Sequence, residues 1–357
     1  MVGLVFWGLA GVRSQAERAD SFEFLRLPAG PRTAALGGAG VADASDLAGA
    51  QLNPAGLGRL WRDEVGFSGA RWIDDVQYQT AGYGHPFVGG GALAANLIAL
   101  NYGTIPSYSP GGGTEGSISA QDSAVRLGYG RNGGDRFWWG AQGVYAQETL
   151  AGEKASAVAM DGGIIWQPVR TGPLRTASFG AAFRNAGKGP RFDGNKTESL
   201  PSTFQVGGTL RPFFEGLTVS VDGEQSGSAP ISLRTGIEYW ARSAVAFRLG
   251  YNGREAREGN GVTLGFGFRA WDFEVDYGYS GFGALGESHH MGLVYRFGSL
   301  AEKFYERGLH SLQQQDYAQA VVYFARAVSI DPHHRRALEQ LREANAKLQS
   351  ELKPVRP

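Results

Sequence analysis

The stretch VTLGFGF (262–268), followed by FEVDYGY (273–279), decides the fold class. In the first, Val262, Leu264, Phe266 and Phe268 share one face while Thr263, Gly265 and Gly267 take the other, because successive side chains of a strand point to opposite sides. The second repeats this, with Phe273, Val275, Tyr277 and Tyr279 opposite Glu274, Asp276 and Gly278. A helix would gather its apolar residues every three or four positions instead. The same alternation marks LTVSVD (217–222), ISLRTGIEY (231–239) and MGLVYRF (291–297).

Working outward from these segments, breaks at Gly, Pro, Asn and Asp clusters divide residues 63–298 into about fourteen strands of roughly ten residues or more. An even count of that size fits a transmembrane barrel of the bacterial outer membrane. Two regularities that played no part in placing the strands agree with it. Connections after odd strands include long ones, at 104–118, around 189–199 and at 253–259, whereas those after even strands are mostly tight. Aromatic residues gather toward the tight-turn end: Phe87, Trp138, Trp139, Trp166, Phe213, Phe214, Trp240, Trp271 and Phe297. They read as a girdle at the water–lipid boundary, where an apolar ring with a polar edge is at home. The alternative is a soluble all-β protein with aromatic strand ends.

Composition narrows the function. Glycine accounts for 55 of 357 residues, about twice the usual share of roughly 7%. The 34 acidic and 34 basic residues cancel, so no basic field is available for nucleic acid. The absence of cysteine removes disulfides and thiol chemistry. An apolar run at 2–12, followed by SQA at 14–16, reads as a signal peptide over 1–16. It lacks a basic n-region, which leaves a membrane anchor as the alternative. No other run reaches the roughly 18 apolar residues of a membrane-crossing helix.

Residues 17–62 form an N-terminal segment whose second half, LGGAGVADASDLAGAQLNPAGLGRL (36–60), is almost all small residues. With FEFLRLPAGPRTAALGG (22–38) leading into it and NPAGL (53–57) within it, the segment resembles the PorV/PorQ branch of the FadL-type outer-membrane proteins. That resemblance implies a plug folded into the barrel lumen, where inward side chains leave room only for small residues. Its expected contact points are Gly37, Gly38, Asn53, Pro54, Ala55, Gly56 and Leu57, with the Asn53 side chain capping a short turn that Pro54 begins. The competing reading is a disordered leader. Apolar Leu47, Leu52, Leu57 and Leu60 argue against it.

If the apolar faces of the C-terminal strands meet lipid, Arg234, Glu238, Arg248, Arg269, Glu274, Asp276 and Arg296 line the lumen. They form either an ion-pair ladder that stiffens the barrel or the border of a solute path. No catalytic constellation emerges, and no cofactor or metal is expected. GYGRNG places Gly128, Gly130 and Gly133 at dinucleotide spacing, but DRFWWG after it starts a strand and not a helix. His289 and His290 point to opposite faces of their strand, and His333 and His334 meet a similar difficulty at a helix start.

Residues 299–357 change period. AEKFYERGLHSLQQQDYAQAVVYFARAVSIDP (301–332) resembles one tetratricopeptide repeat, with Gly308, Ala320, Phe324, Ala327 and Pro332 on the family pattern and Ser311 where an aromatic is common. One repeat cannot bury its own faces, so 333–353 is expected as a capping helix, and the pair should lean on the barrel or on a partner.

FEFLRLPAGPRTAALGG (22–38), the NPAGL of 53–57, WIDDVQY (72–78) and ALNYG (99–103) resemble the PorV/PorQ family, a branch of the FadL-type outer-membrane proteins, over about 22–297. HHMGLVYRF (289–297) also resembles the terminal insertion signal of such barrels, although some sixty residues follow it. The resemblance implies an all-β barrel of about fourteen antiparallel strands with an N-terminal hatch in its lumen. It further implies a location in the outer membrane, in contact with its lipid, with the hatch and helical module on the periplasmic side. Three functions follow as expectations. The barrel is a hatch-gated conduit for a hydrophobic small molecule; or a non-transporting factor that binds the C-terminal domains of secreted proteins, as in type IX secretion; or an anchor whose residues 299–357 bind a periplasmic protein.

Overall fold

The computed structural model describes residues 21–71, 76–87, 90–108, 114–134, 136–168, 176–192, 196–197, 199–212, 214–257, 259–281 and 286–352. The expected signal peptide, the first four residues of WIDDVQY, and Phe213 lie outside them. Fourteen strands close into one antiparallel barrel. They are β1 (Asp63–Arg71), β2 (Gln77–Pro86), β3 (Ala92–Tyr108), β4 (Thr114–Gly134), β5 (Phe137–Leu150), β6 (Glu153–Trp166), β7 (Ala177–Lys188), β10 (Thr203–Leu210), β11 (Leu217–Ser226), β12 (Ser232–Ala241), β13 (Val245–Asn252), β14 (Val262–Ala270), β15 (Phe273–Gly281) and β16 (Glu287–Phe297). The ring closes where Asp63 of β1 faces Phe297 of β16. A two-stranded hairpin, β8 (Arg191–Phe192) with β9 (Lys196–Thr197), stands in the connection after β7.

Each barrel strand alternates as the sequence does. Phe67, Leu97, Phe204, Leu264 and Leu293 are among the apolar side chains exposed on the outer wall, and their neighbours along the strand turn inward. A row of stacked rings crosses the tight-turn end of that wall: Phe273 on Tyr295 at 4.7 Å, Tyr295 on Phe297 at 5.3 Å, and Phe297 on Tyr83 at 6.4 Å. Trp139, Trp166, Phe214 and Trp271 are exposed there too. Trp138 and Trp240 correct the expected girdle. Both turn inward, Trp138 beneath Arg59 and Trp240 beneath Arg269. Strand parity forces the first, since adjacent Trp138 and Trp139 cannot share a face.

A second correction concerns 104–118, expected as a loop. Thr104 pairs with Ser119, Ile105 with Ile118 and Pro106 with Ser117, so β3 and β4 run on as a two-stranded extension. The register shifts between Asn101 and Thr104, where Gly103 adopts a φ of 70° that L side chains rarely take.

After Phe297 the chain becomes three helices: α3 (Leu300–Gln313), α4 (Tyr317–Ile330) and α5 (Arg335–Leu352). They bury Phe304, Tyr305, Ala320, Phe324, Ala327, Ala337 and Ala344 together. The Asp316 carboxylate caps α4, accepting from the Gln319 N–H at 2.9 Å, and Pro332 follows the helix end at Ile330. Gly308 lets α3 approach the Phe324 ring, which a Cβ there would meet at 2.5 Å. The module touches the barrel rim through polar contacts, Leu300 N–H to Trp61 C=O at 3.0 Å and Lys303 to Asp63 at 3.2 Å. Gly308→Leu should therefore loosen α3 from α4 alone. Limited proteolysis should release the helices while the barrel keeps its heat-modifiable gel mobility.

Candidate functional site

The described residues before β1 sit inside the barrel. Their short helical pieces are a 3-10 turn at Glu23–Arg26, α1 (Pro31–Ala35), α2 (Leu47–Ala50) and a 3-10 turn at Pro54–Arg59. Phe22, Ala35, Val41, Ala50, Asn53 and Ala55 are fully buried. Small residues are needed on both sides of this contact. A Cβ on plug residue Gly37 would fall 2.6 Å from the Tyr251 backbone, at a φ of 64° that already favours glycine. On the wall, a Cβ at Gly180 would meet Val41, at Gly278 Pro31, and at Gly130 Leu57 and Gly58. The abundance of glycine is thus a packing requirement of a filled lumen. It also explains the GYGRNG spacing: Gly128 and Gly130 are wall positions against Leu57.

Asn53 holds both partners. Its Oδ1 accepts from the Ala55 N–H at 3.0 Å, capping the turn that Pro54 begins, while Nδ2 donates to Val41 C=O at 2.7 Å and to Ile164 C=O on β6 at 3.0 Å. Other wall side chains serve the plug backbone. Asp222 accepts from the N–H groups of Gly40 and Val41 at 2.7 and 2.9 Å, Glu64 from Leu47 at 2.8 Å, and Thr263 donates to Ala35 C=O at 2.9 Å. Backbone groups of an irregular segment removed from water need such partners.

Six of the seven expected lumen charges meet in one network. Arg248 binds Glu238 at 2.7 Å and Asp276 at 2.5 Å, and lies 3.7 Å from Glu274. Glu274 also takes Arg269 at 2.8 Å and Arg296 at 2.6 Å. Arg234 stands apart, on Glu224 at 2.5 Å and on the Gly37 carbonyl at 3.1 Å. Three contacts follow directly from register, since Glu64 faces Arg296, Glu238 faces Arg248 and Arg269 faces Glu274 on adjacent strands.

The plug enters this network through Arg32, which the sequence reading missed. Its guanidinium grips Glu238 with two bonds of 2.9 Å and reaches Asp43 at 2.9 Å. Burial works to depress its pKa, but Glu238 and Asp46 outweigh that and hold it well above the ordinary arginine value. A second buried set was missed too. Asp161 accepts from Arg126 at 2.7 Å, from Gln142 at 2.6 Å and from the Asn185 N–H at 2.6 Å. Arg126 was visible in principle, polar between outward Val125 and Leu127. Arg32 carried no such signal, because its partner lies 206 residues away.

Toward the tight-turn end the lumen opens into a vestibule of about 770 Å³. Its lining includes Trp61, Phe214, Trp240 and Trp271 together with Arg32, Asp43 and Glu238. Beside the plug, two further spaces measure only about 50 and 20 Å³. Small-molecule pockets run from roughly 300 Å³ upward, so neither holds a solute of that size.

No family model and no curated protein sequence matches the chain. Solved structures do. The toluene transporter TodX of Pseudomonas putida aligns at 13% identity and a TM-score of 0.51, over 75% of this chain and 97% of that one. The chain shares its barrel fold with that transporter. A structure described as the TodX monoaromatic hydrocarbon channel deltaS2 mutant aligns at 12% identity and a TM-score of 0.52, over 75% and 98%. A Pseudomonas aeruginosa FadL homologue gives 12% and 0.49, over 75% and 97%. At these identities the likeness is one of fold.

Proposed function

We propose that the chain is an outer-membrane conduit for a hydrophobic solute, closed by its own N-terminal plug and opened when that plug releases the wall. The observation that carries this reading is the vestibule of about 770 Å³ with Arg32, Asp43 and Glu238 in its lining. The chamber meets the plug at the ion pairs that hold it. The apolar belt around the whole barrel supports placement in a bilayer. A hydrophobic solute is favoured by the fold shared with a toluene transporter and by the aromatic residues of the vestibule. Toluene is therefore the probe. Cells producing the full chain should take up labelled toluene faster than cells lacking it, and equal uptake would count against the reading.

A second reading has its own support. The helices α3 to α5 carry their own core and meet the barrel through few polar contacts, as an anchored binding module would. Under this reading, removal of 299–357 leaves toluene uptake intact but abolishes capture of a periplasmic protein by the membrane-inserted barrel. Unchanged capture would remove it.

A further inference from the structure

We infer that the outer wall of β2 to β5 binds the headgroup of a neutral glycolipid. Strand register builds the site. Ala99 of β3 and Ser123 of β4 face each other, and both point outward, since the residues beside them, Leu100, Asp122 and Ala124, are buried. These two small side chains form a floor. Gln79 on β2 and Gln147 on β5 flank it. One row further from the tight-turn end, Gln77, Asn101, Gln121 and Thr149 stand side by side across the same four strands. On the opposite side Leu97 faces Val125, and both are exposed as part of the apolar belt. The depression enclosed by the amides measures about 270 Å³.

Its walls are uncharged amides and hydroxyls. The one carboxylate in the lining, Asp122, turns inward and accepts from the Tyr102 hydroxyl at 2.7 Å. Arg71 and Lys154, the nearest charged side chains on the outer row, lie one strand beyond either end and outside the lining. Asn101 accepts from the Gly103 N–H at 2.9 Å, and Gln147 reaches Thr149 at 3.5 Å. The side-chain amides of Gln77, Gln79 and Gln121 bond to no other described residue. Each amide offers donors and an acceptor together. That suits sugar hydroxyls, which also donate and accept, whereas a phosphate or carboxylate seated here would find no opposite charge.

Position decides the rest of the molecule. A ligand on the floor has polar groups on three sides and Leu97 and Val125 on the fourth, where the apolar outer wall begins. A free sugar leaves that side wet. A lipid sets its head among the amides and its acyl chains along the belt, burying apolar area in the same step. The volume of about 270 Å³ lies at the lower edge of small-molecule sites, roughly 300 Å³ upward, and suits a single sugar ring. The inference rests on the bilayer placement proposed above.

The test uses the full chain in detergent micelles and needs no bilayer. The protein is given equal amounts of a diacylglycerol bearing one glucose and of phosphatidylcholine with the same chains. In native mass spectra it should retain the glycolipid about tenfold more often, the scale of a few neutral hydrogen bonds. Gln77→Leu with Gln121→Leu removes amides, and Ser123→Phe fills the floor while keeping them. All three side chains face outward, away from the plug. Each variant should bring the preference near parity; should one fail to fold, the other decides with the wild type. Equal retention of the two lipids by the wild type, or a preference that survives in a folded variant, would overturn the inference. So would displacement of the glycolipid by an equal concentration of methyl glucoside, which would mark a site for free sugar. Failure of the bilayer placement shows separately, as full chain that does not float with lipid vesicles.

Discussion

Arg126→Ala should lower the unfolding free energy of the barrel by about 3–5 kcal/mol, the usual cost of stranding one partner of a buried ion pair. The side chains of Arg126 and Asp161 are 2% and 0% exposed. Without Arg126, Asp161 keeps only Gln142 and the Asn185 N–H, which hydrogen-bond the carboxylate but do not neutralise it. Urea unfolding in lipid vesicles, followed by tryptophan fluorescence, measures the loss. Removing both charges with Arg126→Met and Asp161→Leu should cost less than the two single changes added together, because neither charge is then left alone. A loss below about 1 kcal/mol for Arg126→Ala, the scale of an exposed pair, would show that water reaches this layer.

Arg32→Ala should loosen the plug rather than unfold the barrel. Arg32 links α1 to Glu238 on the wall and to Asp43 and Asp46 within the plug. Its removal leaves Glu238 with Arg248, and Asp43 with Arg211, so the wall keeps its own pairing and loses one of its holds on the plug, beside those of Arg211, Asp222 and Glu64 that remain. A hydrogen bond to a charged group contributes roughly 1.5–3 kcal/mol. At about 1.4 kcal/mol per tenfold change, open events in planar bilayers should become on the order of ten- to a hundredfold more frequent. Arg32→Lys should give an intermediate frequency, since it keeps the charge but not the two-pronged grip on Glu238.

The barrel was legible because an apolar outer face over an inward polar one imposes a period of two on its strands, as VTLGFGF shows most plainly. Inward charges followed from the same alternation, and Arg126 and Asp161 could have been added by extending it to the N-terminal strands. Trp138 and Trp240 were misplaced because proximity to a turn was given more weight than parity. The extension at 104–118 was misread because Gly and Pro usually signal turns, whereas here they border a bulge and a paired edge. Illegible from the outset was the pairing of plug with wall. Arg32 meets Glu238, and Asn53 meets Ile164, only after the barrel has closed around them. The resemblance carried by 22–57 implied a plug in general, and the small-residue character of 36–60 fitted it. The matching wall glycines, such as Gly180 and Gly278, had no visible reason until both surfaces were in contact.

A plugged conduit requires residues 21–60 to be what closes the lumen. Single-channel conductance in planar bilayers tests this most directly, comparing the full chain with one from which 21–60 have been deleted. The full chain should be silent apart from rare openings, and the deleted chain should conduct steadily. A full chain that conducts steadily, or a folded deletion variant that stays silent, would contradict it.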